Sequence, residues 1–438
     1  MKNNSDNKKT ETSNYNYEYH TGISDIKFLF ISTLVAMTFA VVGFLIFNQS
    51  QKTTNVTDDK SSISYGKSPQ SIINKTPDIP IMKTPITSQT ELNNQQIALP
   101  SLPIPDNNNH INFQKTFIYT PDRPPNFKRN DQLQSIIKNV TDYVAENNLP
   151  TQKLSISLID FKTNSSENYQ GNIGRFPASV VKLFWLVALY GYVNYHQGDI
   201  GEYTIEIQEM IGKSDNEESS NIVDAITGAK SNHKNISQSE YQEWLKKRNV
   251  LNQYFVDAGY SGININQKTY PIPSKKMFKP QGADLKMRGN DSKNPIRNKI
   301  TTEQAARLMY EIITGQAISP ESSQEMRYYL NRMNIMQDGS WKNIDPNQGQ
   351  GHFNPIKGFF GEYFANSDPK NIKEFASKAG WTSDSRNEVA YINDGQVAYI
   401  LAVFTQDAAY AQNWQIFPKI SELVYQKMHQ IDSKYNTP

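Results

Sequence analysis

The sequence predicts an α+β domain: an antiparallel sheet flanked by helices with an all-helical lobe, preceded by one transmembrane helix and a disordered stalk. Three observations predict it. Strand-like alternation occurs near both ends of residues 131–438, a block of helical patterns lies between, and one uncharged run of 20 residues stands far upstream.

The chain has 438 residues, 37% hydrophobic and 20% charged, with a formal net charge of +2. That length exceeds one compact core. The near-neutral balance and the lack of a basic stripe argue against a nucleic-acid partner. With no cysteine, disulfides and thiolate metal sites are excluded. The histidines (His20, His110, His196, His233, His352, His429) have no ligand spacing, so neither a metal nor a cofactor is expected.

Residues 1–27 are polar and read as a cytoplasmic tail. Residues 28–47, "FLFISTLVAMTFAVVGFLIF", match a bilayer core in length. No small-x-small cleavage site closes the run, which favours an uncleaved anchor over a signal peptide. Lys2, Lys8, Lys9 and Lys27 precede it and only Lys52 and Lys60 follow closely, which places the N-terminus inside and the bulk of the chain outside, extracytoplasmic or periplasmic. Residues 48–130, rich in Ser, Thr, Asn, Gln and Pro, read as a stalk unable to bury enough surface to fold alone.

The folded part spans 131–438. "DQLQSIIKNVTDYVAENN" places Leu133, Ile136, Ile137, Val140 and Val144 on one helix face. "LSISLIDF" (154–161) alternates like a strand, with "KTNSSEN" a turn after it. An almost wholly apolar helix begins near Pro177, where proline suits a first turn. "TTEQAARLMYEIITG" opens with a capping box, Thr301 to Gln304, and closes on Gly315. "NEVAYI" and "QVAYILAVFTQ" flank Asn393-Asp394-Gly395, a hairpin signal, and an amphipathic helix ends the chain. "GQGHFNPIKGFFGEYF" (348–363) reads as an ordered loop beside the site.

Within the apolar run "RFPASVVKLFWLVALYGYVNY" (175–195) stands one ammonium, Lys182. A charge buried there costs several kcal/mol unless it is paired or loses its proton. Ser179 lies three residues before it, on the same helix face, where a neutral amine can take the serine proton. The Ser-x-x-Lys spacing alone is weak, since it recurs at Ser5, Ser24, Ser64, Ser135, Ser231 and Ser367. Only Ser179 opens a strongly apolar helix after a strand pattern.

Two further pieces follow in order: Ser214-Asp215-Asn216, which alone reads equally as a helix cap, and Lys378-Ala379-Gly380 leading into a strand. Ser-x-x-Lys, Ser-Asp-Asn and Lys-Thr-Gly form the motif set of class A β-lactamases and penicillin-binding proteins. Roughly the last 300 residues resemble this β-lactamase/transpeptidase-like serine family, as a divergent member. The resemblance implies Ser179 as nucleophile, Lys182 as its proton partner and Ser214 as relay to the leaving nitrogen. It implies that Asn216 binds the substrate amide and that Lys378 orients Ser214 and attracts a carboxylate. Backbone N–H groups of Ser179 and Trp381 would form the oxyanion hole, with Gly380 leaving room for a substrate backbone. Arg386 would clamp the carboxylate or be a surface charge on the hairpin. Ala379 stands where a hydroxyl residue is usual, with Thr382 or Ser383 as its replacement.

Ser179 and Ser214 are only 35 residues apart, and no Glu-x-x-Leu-Asn segment is found; Tyr270-Pro271 stands near the place of its Glu-Pro. The expectation is a membrane-anchored serine acyl-hydrolase, acylated by β-lactams or related peptidoglycan peptides, with slow deacylation unless Glu217 or Glu218 substitutes. The alternatives are a D-alanyl-D-alanine peptidase or transpeptidase, or a catalytically weak cell-wall-binding module of the same fold.

Overall fold

The computed structural model describes residues 117–121, 124–345 and 353–435. The anchor expected at 28–47 and nearly all of the stalk lie outside these residues. Among the described residues, no helix is long and apolar enough to cross a membrane.

Five strands form one antiparallel sheet: β1 (Leu154–Asp160), β2 (Ser165–Tyr169), β3 (Glu374–Thr382), β4 (Ser385–Asn393) and β5 (Ala398–Thr405), in the order β2-β1-β5-β4-β3. The pairing of β1 with β5 joins the two ends of the folded part. Asp394 tightens the expected β4–β5 hairpin by accepting from Gln396 N and Val397 N, both at 2.8 Å, and Gly395 supplies a φ of 95°. A left-handed φ of this kind favours glycine.

Strand alternation divides the core into two layers. Val389 and Tyr391 of β4 face a cluster built around the Val181–His196 and Thr302–Ile313 helices. Ala390 and Ile392 face the opposite cluster, built around the Asp131–Glu146, Phe360–Ser367 and Ile416–Tyr435 helices. The expected face of the Asp131–Glu146 helix is buried, and Asn130 caps its start by accepting from Gln132 N and Leu133 N. The Thr301 capping box forms as expected. The stretch 348–363 is less of a loop than its composition suggested: residues from Phe360 onward are helical, and 346–352 lie outside the described residues.

The Val181–His196 helix is buried from Val181 through Gly191. Apolar residues surround it on every side, which a helix tolerates only in the middle of a lobe. Gly191 is the point of closest approach: a Cβ there would lie 1.8 Å from the hydroxyl of buried Tyr254. Gly191→Ala therefore gains roughly 1 kcal/mol in helix propensity but loses about 1–3 kcal/mol to overpacking. Urea unfolding is expected to show net destabilisation, with Tyr254→Phe relieving only part of it, because the ring Cζ would still lie 2.6 Å from the added Cβ.

Candidate active site

The strand-to-helix passage sets Ser179. Arg175 pairs with Ile300, and Asn387 of β4 donates to Phe176 O at 3.1 Å. Ala178 then takes a left-handed φ of 47°, and Ser179 sits half-buried in the 3-10 turn Ala178–Val180 that leads into the helix. Strand β3 runs directly against this turn. A Cβ on Gly380 would stand 2.7 Å from Ser179 N and 2.8 Å from Pro177 O, so the close approach requires glycine.

One turn on, Lys182 is wholly buried and surrounded by oxygen acceptors. Its Nζ donates to Asn216 Oδ1 at 2.9 Å, to Asp215 O at 3.1 Å and to Ser214 O, and it lies 3.4 Å from Ser214 Oγ. From the other side, Lys378 Nζ reaches Ser214 Oγ at 3.0 Å and Ala379 O at 2.8 Å. The Ser214 hydroxyl therefore stands between two amines. Ser214 presents it from a left-handed conformation, φ 58°, at the end of the π-helical turn Gln208–Lys213, an uncommon backbone for a residue with a Cβ. Asp215 caps the Asn216–Thr227 helix, so the cap and the functional roles of this motif coexist.

Burial drives the electrostatics. It pushes the Lys182 amine down to about 7, with Asp215 pulling weakly the other way. Lys378 lies well below its ordinary value, first through burial, then through the charges of Lys182 and Arg332. Glu388 opposes that shift, and burial raises its own carboxyl to about 8.

The remaining expected residues divide. Asn216 points at Lys182. The Trp381 indole is 37% exposed, donates to Ala411 O at 2.7 Å and lies 5.6 Å from the Trp414 ring. Thr382 is occupied within the β3–β4 turn, its hydroxyl 2.7 Å from both Asp384 Oδ1 and Ser385 Oγ.

Arg386 is a correction to both sequence readings, being neither a free clamp nor a surface charge. Its register partner is Trp381, which puts it on the sheet face opposite Lys378 and Gly380. It is fully buried there, donating to Gly358 O, Ala411 O and Tyr410 O between the rings of Trp414 and Phe359.

Sequence reasoning missed Arg332, Glu388 and Phe353. Phe353 lies 5.5 Å from Lys378 Nζ and belongs to the aromatic stretch expected beside the site. Glu388 carried a faint signal, a carboxylate within the strand pattern "NEVAYI". Arg332 carried none.

Glu217 is committed elsewhere: it accepts from Ser274 N at 3.0 Å and from the Ser274 hydroxyl, tying segment 271–275 to the Asn216–Thr227 helix. Lys275 adds a second tie to Asp224 at 2.9 Å. Glu218 accepts from Asn221, and the Tyr270–Pro271 bond is cis. Among the described residues, no carboxylate hydrogen-bonds Lys182, Ser214 or Lys378.

The described site thus holds a half-buried serine at a helix start and a second serine hydroxyl set between two buried amines. The family model described as the beta-lactamase enzyme family matches residues 132–428, and the chain belongs to that family. Similar solved structures include a beta-lactamase from Sphaerobacter thermophilus, at 14% identity over 68% of this chain and 98% of that one, with a TM-score of 0.44. PBP-A is similar at 16% identity, covering 70% and 100%, with a TM-score of 0.42. A class A representative from Bacteroides cellulosilyticus is similar at 13% identity, covering 68% and 99%, with a TM-score of 0.42. A search of the curated proteins finds no match.

The buried amine links stability to pH. Lys182 has an ordinary value of 10.5 and a folded value of about 7, so between these limits the unfolded chain binds more protons. Stability then rises with pH across that window. Urea unfolding from pH 7 to 10 is expected to show this rise, with a smaller slope in Lys182→Met. An equal slope in the two proteins would contradict the assignment.

Proposed function

We propose that the chain is a serine acyl-transfer enzyme, acylated at Ser179 by β-lactams or related cell-wall peptides and slow to release the acyl group. The observation that carries this is the Ser214 hydroxyl, 3.0 Å from Lys378 Nζ and 3.4 Å from Lys182 Nζ, beside the Ser179 turn.

Ser179 Oγ attacks the carbonyl carbon while neutral Lys182 takes its proton. The oxyanion is held by backbone N–H groups of Ser179 and Trp381, a pairing supported by the contact of Gly380 with the Ser179 turn. The C–N bond then breaks, and the proton passes through Ser214 to the leaving nitrogen. This leaves a Ser179 ester for water, or for an amine in a transpeptidase, to open.

Slow release is supported by the engagement of Glu217 with Ser274 and of Glu218 with Asn221. The chain is further proposed to be anchored through residues 28–47, with the stalk holding the domain outside the membrane. A second reading, a binding module of the same fold with weak turnover, is favoured by the occupied Arg386 guanidinium and Thr382 hydroxyl.

Labelling with a fluorescent penicillin tests the first reading. Wild type is expected to take a covalent label that persists for hours, and Ser179→Ala to take none. Label that survives Ser179→Ala, or none on wild type, rejects the assignment.

The labelling rate is expected to rise through pH ~7 as Lys182 loses its proton, and Lys182→Met to lower it by roughly 10²–10⁴-fold. Asp215 holds that amine up, so Asp215→Asn is expected to move the rising limb to lower pH. A rate flat from pH 6 to 8 would exclude Lys182 as the base.

A further inference from the structure

Residues 331–332 leave the Pro320–Leu330 helix and run along the outer edge of β3. Asn331 bridges Ala376, and Arg332 N donates to Phe375 O at 2.8 Å. The Arg332 side chain is buried and reaches two different segments. Its Nη2 donates to Ile211 O at 2.8 Å and to Ser377 O at 3.0 Å. Ile211 stands three residues before Ser214, and Ser377 immediately precedes Lys378.

One nitrogen thus joins the two segments whose side chains meet at Ser214 Oγ and Lys378 Nζ. Among the described residues, the only direct hydrogen bond between 208–214 and β3 is that Lys378–Ser214 contact itself. The seam between relay and strand has no other polar fastening. We propose that Arg332 is a positioning residue, whose guanidinium clasps the Ser214 turn to β3 and thereby sets the Ser214–Lys378 gap. This rests on the reading of Ser179 as the acylated residue.

Both properties of the side chain matter. A guanidinium presents donors in a rigid plane and can serve two carbonyls at once, whereas an ammonium is a point charge on a flexible stem. The charge is also felt nearby. Lys378 is faced by Lys182 from the buried helix, by Glu388 from β4 and by Arg332; the two cations push its proton off and the carboxylate holds it on. Glu388 likewise acts on Arg332. Arg332→Met removes both the donor and the charge, while Arg332→Lys keeps the charge and loses only the fixed, planar donor.

The test uses the full chain and both variants. Each is expected to slow labelling by roughly tenfold to a hundredfold, since small misplacements of a reacting group have effects of that size. Only Arg332→Met is expected to shift the pH dependence of labelling, because only it relieves the repulsion on Lys378. A loss of rate with an unshifted pH profile in Arg332→Met would mean a merely structural role and overturn the proposal.

A crystal structure of either folded variant asks the same question without turnover. The gap should open beyond about 3.5 Å, the limit of a hydrogen bond. A gap that stays at its present length, or an unchanged labelling rate, overturns the clasp. If wild type takes no label, the Ser179 reading fails by itself, and the crystallographic gap still decides the role of Arg332.

Discussion

The site depends on one buried amine and the three oxygens around it. Moving an ammonium out of water costs several kcal/mol, and the attraction of partners repays this only when the geometry is good. At Lys182 the partners are the backbone oxygens of Ser214 and Asp215 and the side-chain oxygen of Asn216. These three consecutive residues are held by the left-handed turn at Ser214 and the Asp215 cap. The same contacts that make the lysine tolerable therefore fix the Ser214 hydroxyl. None of the hydrogen-bond partners is a carboxylate, so only the nearby charge of Asp215 favours the proton. A carboxylate there would secure the charge and, on the proposed reading, spoil the base.

Much of this was legible along the chain, because its causes are local. The Asp131–Glu146 helix, the Thr301 box and the Asn393-Asp394-Gly395 turn follow from periodicity, capping and backbone preference within a few residues. Lys182 was legible as an anomaly, one charge in an apolar helix. Arg386 was misread because its direction depends on register. In β3 and β4, Gly380 faces Asn387 and Trp381 faces Arg386, so moving one residue along the strand exchanges the sheet faces. Arg332 was invisible for a different reason. Its partners lie 121 and 45 residues away in sequence, and nothing around it announces them.

The opposite face of the sheet shows what Arg386 does instead. Its guanidinium lies 4.3 Å from the Trp414 ring centroid and 5.1 Å from that of Phe359, and its N–H groups meet backbone carbonyls. Gly358, at φ 76°, makes room: a Cβ there would fall 2.3 Å from Trp414 and 2.7 Å from the guanidinium. Arginine suits such a sandwich because it is planar and weakly hydrated. The packing extends outward, since Ala411 O accepts from both Arg386 and the Trp381 indole. On this face, opposite Gly380 and Lys378, Arg386 acts as framework among aromatic rings.

That division of labour bears on which substrates the cleft favours. Carboxylate recognition needs a donor that is both free and reachable. Ala379 has no hydroxyl, the Thr382 hydroxyl serves its own turn, and Arg386 is enclosed. Of the residues expected to hold a carboxylate, Lys378 is left, and it is already shared between Ser214 Oγ and Ala379 O. An anionic substrate would draw Lys378 toward its charge and so toward the protonated form, in competition with the relay. On the proposed reading, a donor whose grip came instead from its backbone along β3 would leave that lysine to Ser214. On the proposed acyl-transfer reading, one amine would couple binding to proton transfer, and the charge of the substrate would bear on rate as well as on affinity.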